Sequence, residues 1–238
     1  MSKELWNELE KKIGKKCSNY FRANIEVSLE DKVLSFEFAK KMSMGDNHNP
    51  DSFASGKKEN TRKPSQIFRD AFQGKVAEFA FCNYVKKHSK DNENLKPDLE
   101  CWARGEWEDT DFVITKESKQ YTCSVKSTKD FGRLLLLERQ RYNDQGLYIE
   151  PAKGGNNPIK HDFFFLLRVR GVKESMCYFD YSEQDIRDIE IEFMGYVTHK
   201  TFLASWHNPQ KILKAGTEIG NDKLKVDNVW FCISELIK

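Results

Sequence analysis

Hydrophobic and polar positions alternate with different periods along this chain, and the changes of period mark out its elements. From Lys3 to about Lys12, Leu5, Trp6, Leu9 and Ile13 recur at helical spacing and predict an amphipathic helix. Around Asn24–Val27 and Val33–Phe38 the period shortens to two, which predicts a peripheral hairpin or a strand leading into a short helix. Between Met44 and Pro64 the tract MGDNHNPDSFASGKKENTRKP is too polar and too rich in Gly, Asn, Ser and Pro to pack a core, and reads as a long loop. Ser65 then stands as an N-cap before QIFRDAFQGKVAEFAFCNYVKKH, where Ile67, Phe68, Phe72, Val76, Phe79, Ala80 and Tyr84 form a helical stripe. Glu78 places a carboxylate inside that apolar stretch.

From Asp111 onward the text turns to short runs. DFVIT, the polar turn KESK and QYTCSVKS read together as a β-hairpin. A helix-like segment, LLLLERQRYN, begins after Arg133, and the loop AKGGNNP separates it from DFFFLLRVRGV, whose unbroken apolar character predicts a buried central strand. EFMGYVT reads as a strand continuing into HKTFLAS, and VWFCISELIK as a strand running into one helical turn. No internal repeat or break in composition divides the chain. The expectation is one α/β domain over residues 1–238, a central mixed sheet flanked by helices, with 1–64 contributing an N-terminal helix, peripheral strands and the long polar loop.

Composition narrows the class. With 39% hydrophobic and 13% aromatic residues among 238, the chain can build a core and is not a disordered polyelectrolyte. A formal charge of +2 does not by itself indicate a polyanionic partner, so any nucleic-acid contact must rest on local clusters. No run approaches membrane-spanning length and the start, MSKELWNELEKK, lacks the apolar core of a secretory signal, so a soluble, intracellular protein is expected. Cys17, Cys82, Cys101, Cys123, Cys177 and Cys232 form no CxxC pair; buried thiols are a better reading than a zinc site shared with some of His48, His88, His161, His199 and His207.

The candidate chemistry lies in the hairpin. Asp111 opens its first strand and Lys126 lies in the second, and strand parity puts Ser124 and Lys126 on one face with Val125 on the other. A carboxylate and an ammonium group at one end of a sheet are what phosphodiester hydrolysis uses, the first to hold a hard divalent cation and the second to orient water or offset charge at phosphorus.

In order and type these residues resemble the PD-(D/E)XK nuclease superfamily. GKVAEFAF matches its glutamate-bearing helix, WEDTDFVI its aspartate strand and CSVKST its second strand, over roughly Gly74 to Glu138; VWFCISEL is similar to the closing strand of several restriction enzymes. The acidic position before the lysine is Ser124, as in an S-x-K subgroup of type II restriction endonucleases whose carboxylate has migrated to a helix beyond the lysine, where this chain has Glu138. The resemblance implies a restriction-endonuclease-like fold and a bacterial cytoplasmic, Mg2+-dependent endonuclease that cuts double-stranded DNA as a homodimer. Asp111 would be the central metal ligand, with Asp109 competing. Glu138, or with less support Glu78, would complete the carboxylate set, and the Val125 backbone carbonyl would add a neutral oxygen. Lys126 would act on the attacking water, and Ser124 would bond a metal-bound water.

DNA contacts are expected from Lys129, Arg133, Arg139 and Arg141 to phosphate or guanine, from Gln140 and Asn143 to adenine, and from Arg62 and Lys63 in the long loop. The rivals are a repair or mobile-element nuclease of the same fold, a catalytically inactive nucleic-acid-binding module, and an HNH-like site at Asn47-His48-Asn49, which has no second histidine at the usual spacing.

Overall fold

The computed structural model describes residues 23–44, 63–100, 111–149, 157–173, 178–219 and 222–237. The helix expected at residues 3–12, most of the long loop, Arg62 and Asp109 lie outside them.

Five strands form a mixed sheet. They are β1 (Ala23–Ile25), β2 (Phe112–Lys116), β3 (Lys119–Thr128), β5 (Phe163–Arg170) and β6 (Glu190–Thr198), in the order β1-β6-β5-β3-β2. β3 and β5 run parallel and the other pairs antiparallel. A smaller sheet has β10 (Asn228–Cys232) between β4 (Leu134–Glu138) and β7 (Ile212–Leu213), and β8 (Glu218–Ile219) pairs with β9 (Asp222–Lys223). The helices are α1 (Leu29–Met44), α2 (Pro64–His88), α3 (Glu183–Arg187) and α4 (His199–Trp206). The chain is thus of the mixed α and β class expected. None of the described helices is long and apolar enough to cross a membrane.

β5 shows why the sheet sits at the centre. Phe165, Leu167 and Val169 enter one core with α1 and α2, whereas Phe164 and Leu166 enter a second core with β4, β10 and α4. A strand buried on both faces needs a continuous apolar run, which is what DFFFLLRVRGV supplies. The expected hairpin is present as β2 and β3, with Lys116 opposite Lys119. Its two central residues, Glu117 and Ser118, have φ of 51° and 63°, the left-handed backbone of the tight turn whose twist matches the paired strands.

Several expectations are corrected. Val33–Phe38 is not strand but part of α1, which buries Lys32, Ser35, Phe36, Ala39, Met42 and Ser43 at steps of three and four. The two-residue alternation was a short sample of this longer period, and Phe36 packs edge-on against Phe68 and Phe72 of α2. α2 starts at Pro64 with Lys63 as its N-cap, two residues before Ser65, because proline suits the first helical position.

LLLLE is not helix but strand β4, paired antiparallel with β10 so that Leu135 faces Phe231 and Leu137 faces Val229. Leucine favours helix locally, and the apolar pairing across the small sheet overrides that preference. HKTFLAS is helix α4, started by the Thr198 hydroxyl accepting the Thr201 amide. VWFCIS forms a strand and one 3-10 turn as expected, but β10 belongs to the small sheet rather than closing the large one.

Candidate active site

The described part of β2 begins with Phe112 opposite Cys123, so Asp111 lies at the end of the hairpin, beside Ser124 and Val125. Its Oδ2 accepts the Val125 amide at 2.5 Å and the Ser124 hydroxyl at 3.1 Å, and the Lys126 Nζ stands 3.6 Å from the same oxygen. Three donors from consecutive residues thus converge on one carboxylate oxygen. Strand parity holds: Cys123 and Val125 pack into the helix-side core, while buried Ser124 and half-exposed Lys126 lie on the opposite face. The Val125 N–H points toward Asp111, and a strand residue directs its N–H and C=O to the same edge, so the Val125 carbonyl also points that way.

Glu78 comes from the middle of α2. Its Oε2 accepts the Lys75 ammonium at 2.6 Å, and that ammonium also donates to the Asp98 carbonyl at 2.6 Å while lying over the Phe38 ring. Burial pushes the Glu78 carboxyl up to about 7; Lys75 opposes the rise and the negative charge of Asp111 adds to it. Lys126 also acts on Glu78, so the helix carboxylate lies within the electrostatic field of both hairpin residues.

Glu138 is placed differently from the expectation. It ends strand β4 rather than riding on a helix, and its Oε2 accepts the Arg141 Nε at 2.8 Å. The buried Tyr142 hydroxyl is held in its neutral form by burial first and then by the charge of Asp111, with Glu138 contributing less. Both carboxylates therefore act on Tyr142.

Asp111, Glu78 and the Val125 carbonyl are oxygen donors, the type that magnesium takes. Asp111 and Glu78 are hard oxygen donors from separate elements whose negative charges oppose one another, and the Val125 carbonyl faces the same edge. Magnesium commonly uses one or two protein carboxylates and keeps several waters, so a full protein cage is not required. Among the described residues no group of three His, Cys, Asp or Glu side chains is gathered for a metal. Cys82, Cys123 and Cys232 are buried, and burial raises the Cys82 thiol to about 12. His88 contacts the Tyr84 carbonyl and His199 the Gly146 carbonyl.

The expected DNA contacts separate into two sets. Lys63, Arg133 and Gln140 are exposed, and Lys129 is half-buried at the end of β3. The Arg139 guanidinium instead lies over the Trp206 ring, 4.4 Å from its centre, and Arg141 is paired with Glu138. The Asn143 carboxamide oxygen accepts the Gln145 and Leu147 amides, which gives it a turn-forming task.

Sequence reasoning missed Lys75 and Tyr142. Lys75 is three residues before Glu78 on one helix face, a spacing that signals an ion pair once the helix is recognised. Tyr142 carried no signal, since its relation to Asp111 depends on how β4 and its following turn pack across the large sheet.

No family model matches the chain, and no curated protein and no solved structure is significantly similar to it.

Proposed function

We propose that this protein is a magnesium-dependent endonuclease acting on double-stranded DNA, a type II restriction enzyme with the S-x-K form of the PD-(D/E)XK site. The observation that carries the reading is the convergence of Ser124, the Val125 amide and Lys126 on the Asp111 carboxylate at the end of the hairpin.

Each residue then has a task. Asp111 and Glu78 would hold magnesium with the Val125 carbonyl, and the bound cation would supply charge neutralisation at phosphorus and a more acidic water. Ser124 and the Val125 amide fix the Asp111 carboxylate in one orientation. Lys126 presents its ammonium beside that carboxylate, where it can orient the attacking water or donate to the phosphate oxygen as charge develops. Both glutamates are paired with a cation, Glu78 with Lys75 and Glu138 with Arg141, and Glu78 takes precedence because the charges of Asp111 and Lys126 both act on it. A homodimer on a palindromic site follows from the same reading, since two-fold protein symmetry lets each subunit cut one strand.

The deciding experiment incubates the purified protein with plasmid and phage DNA in Mg2+ or EDTA. Discrete fragments with one common end sequence, lost in EDTA and in Lys126→Ala, support the reading; intact DNA in Mg2+ overturns it. Non-discrete cutting points to a repair or mobile-element nuclease. A binding module that does not cut is favoured by one observation, the engagement of Asp111 Oδ2 by two hydrogen bonds and the Lys126 ion pair, and it would shift DNA in a gel without cleaving it.

A further inference from the structure

Phe131 is the most exposed large apolar side chain among the described residues, with 91% of its surface in water. It sits in the loop Lys129–Arg133, between β3, which carries Lys126, and β4, which ends in Glu138. Thr128 lies only two strand residues, roughly 7 Å, from Lys126, and the loop folds back on it.

This loop is pinned from several directions. The Gly132 amide donates to the Lys129 carbonyl at 2.8 Å, and the Asp130 carboxylate accepts the Gly171 amide at 3.1 Å. The Gly132 carbonyl accepts Arg168 through Nη2 at 2.8 Å and Nε at 3.3 Å. Arg168 is itself buried and paired with Glu192 at 3.0 Å. A Cβ at Gly132 would fall 1.6 Å from the Thr128 hydroxyl, so only glycine permits this close turn. Every anchor is polar or backbone, and none of them involves the Phe131 ring. The fold thus fixes an aromatic side chain outward, in the loop that follows the strand carrying Lys126.

Resting on the endonuclease reading above, we propose that Phe131 is a wedge that enters the DNA base stack beside the cleavage site. The chemistry around it selects a nucleic acid over a second protein surface. Lys129 and Arg133 flank Phe131 along the chain, Arg133 is exposed, and the intervening Asp130 carboxylate is engaged by the Gly171 amide. Cores of protein interfaces are depleted in charged residues, lysine especially, whereas an apolar side chain between phosphate-binding cations suits insertion between base steps. A rigid loop also makes insertion less costly in entropy, since the ring does not have to be ordered on binding.

The test uses DNA topology, which requires no knowledge of the recognition sequence. In a Lys126→Ala background that leaves DNA uncut, closed circular plasmid is relaxed by topoisomerase with increasing protein. Insertion lowers the final linking number in proportion to protein bound. Adding Phe131→Ala should abolish this shift while a gel assay still shows plasmid bound, and Phe131→Tyr should retain it. Because the ring makes no anchoring contact, Phe131→Ala should keep the parent melting temperature. An equal shift with and without the ring, or no shift at all, overturns the wedge. If the parent protein cuts DNA in Mg2+ and Phe131 has no effect on linking number, the wedge alone fails; if the parent neither binds nor cuts, the endonuclease reading fails with it.

Discussion

The ammonium of Lys126 stands 3.6 Å from the same Asp111 oxygen that accepts the Val125 amide, so the two charged residues of the hairpin are joined through one atom. Both side chains are partly exposed, and such a pair contributes at most about 1 kcal/mol to stability. Lys126→Ala should therefore leave the melting temperature almost unchanged while lowering DNA cleavage by at least about 100-fold, the usual scale for a group acting on the transferred proton. Asp111→Asn, whose one carboxamide oxygen can still accept from both Ser124 and Val125, should be as damaging. Plasmid cleavage rates and thermal melts of the two variants check this; a variant that cuts normally would remove its residue from the site.

Glu78 and Glu138 are to be separated by paired variants. Glu78→Gln is expected to lose about 100-fold or more in cleavage, because its charge is coupled to Asp111 and Lys126. Glu138→Ala is expected to lose less than Glu78→Gln, since it mainly releases Arg141 from a half-exposed ion pair. Cleavage rates at saturating Mg2+ decide the order, and the reverse order would return the second carboxylate role to Glu138.

The raised Glu78 carboxyl makes stability depend on pH. In the unfolded chain it ionises near 4.5, whereas the folded protein retains the proton to about 7. Between these values the folded state binds more protons, so this group makes stability fall as pH rises from about 4.5 to about 7, by up to about 3 kcal/mol. Glu78→Gln should flatten that part of the profile in thermal melts. Mg2+ should raise the melting temperature of the parent more at pH 8 than at pH 5, and EDTA should reverse the gain.

Arg168 and Glu192 form a deeply buried ion pair, each side chain only 3% exposed. Removing one partner strands the other in the interior, and Glu192→Ala is expected to cost about 3–5 kcal/mol, read from denaturant unfolding. Replacing both, as in Arg168→Met with Glu192→Leu, should recover much of that loss while leaving the Gly132 carbonyl without its donor.

Gly195 has φ of 118°, and a Cβ there would lie 2.5 Å from the Ile237 carbonyl oxygen. It sits at the register shift where β5 and β6 change pairing and where Tyr196 bridges to Ile237. Gly195→Ala is expected to destabilise by roughly 1–3 kcal/mol through backbone strain, with further loss from displacing the C-terminal segment. Urea unfolding of the variant measures it.

The sequence alone determined those features whose cause is local. The stripe from Ile67 to Tyr84 makes α2, the unbroken apolar run makes β5, and KESK between two alternating runs makes the hairpin with Asp111 beside Lys126. Each follows from periodicity or turn chemistry within a few residues. Only the tertiary structure decided that Leu134–Glu138 pairs with Asn228–Cys232 as strand, since the partner lies some ninety residues away and leucine has no local preference for strand. The same long-range packing took Glu138 off a helix and brought the charge of Asp111 to bear on Glu78, whereas the pairing of Glu138 with Arg141, three residues on, is local. A carboxylate's proton affinity depends on burial and on neighbouring charges in space, and the order of residues along the chain does not encode either by itself.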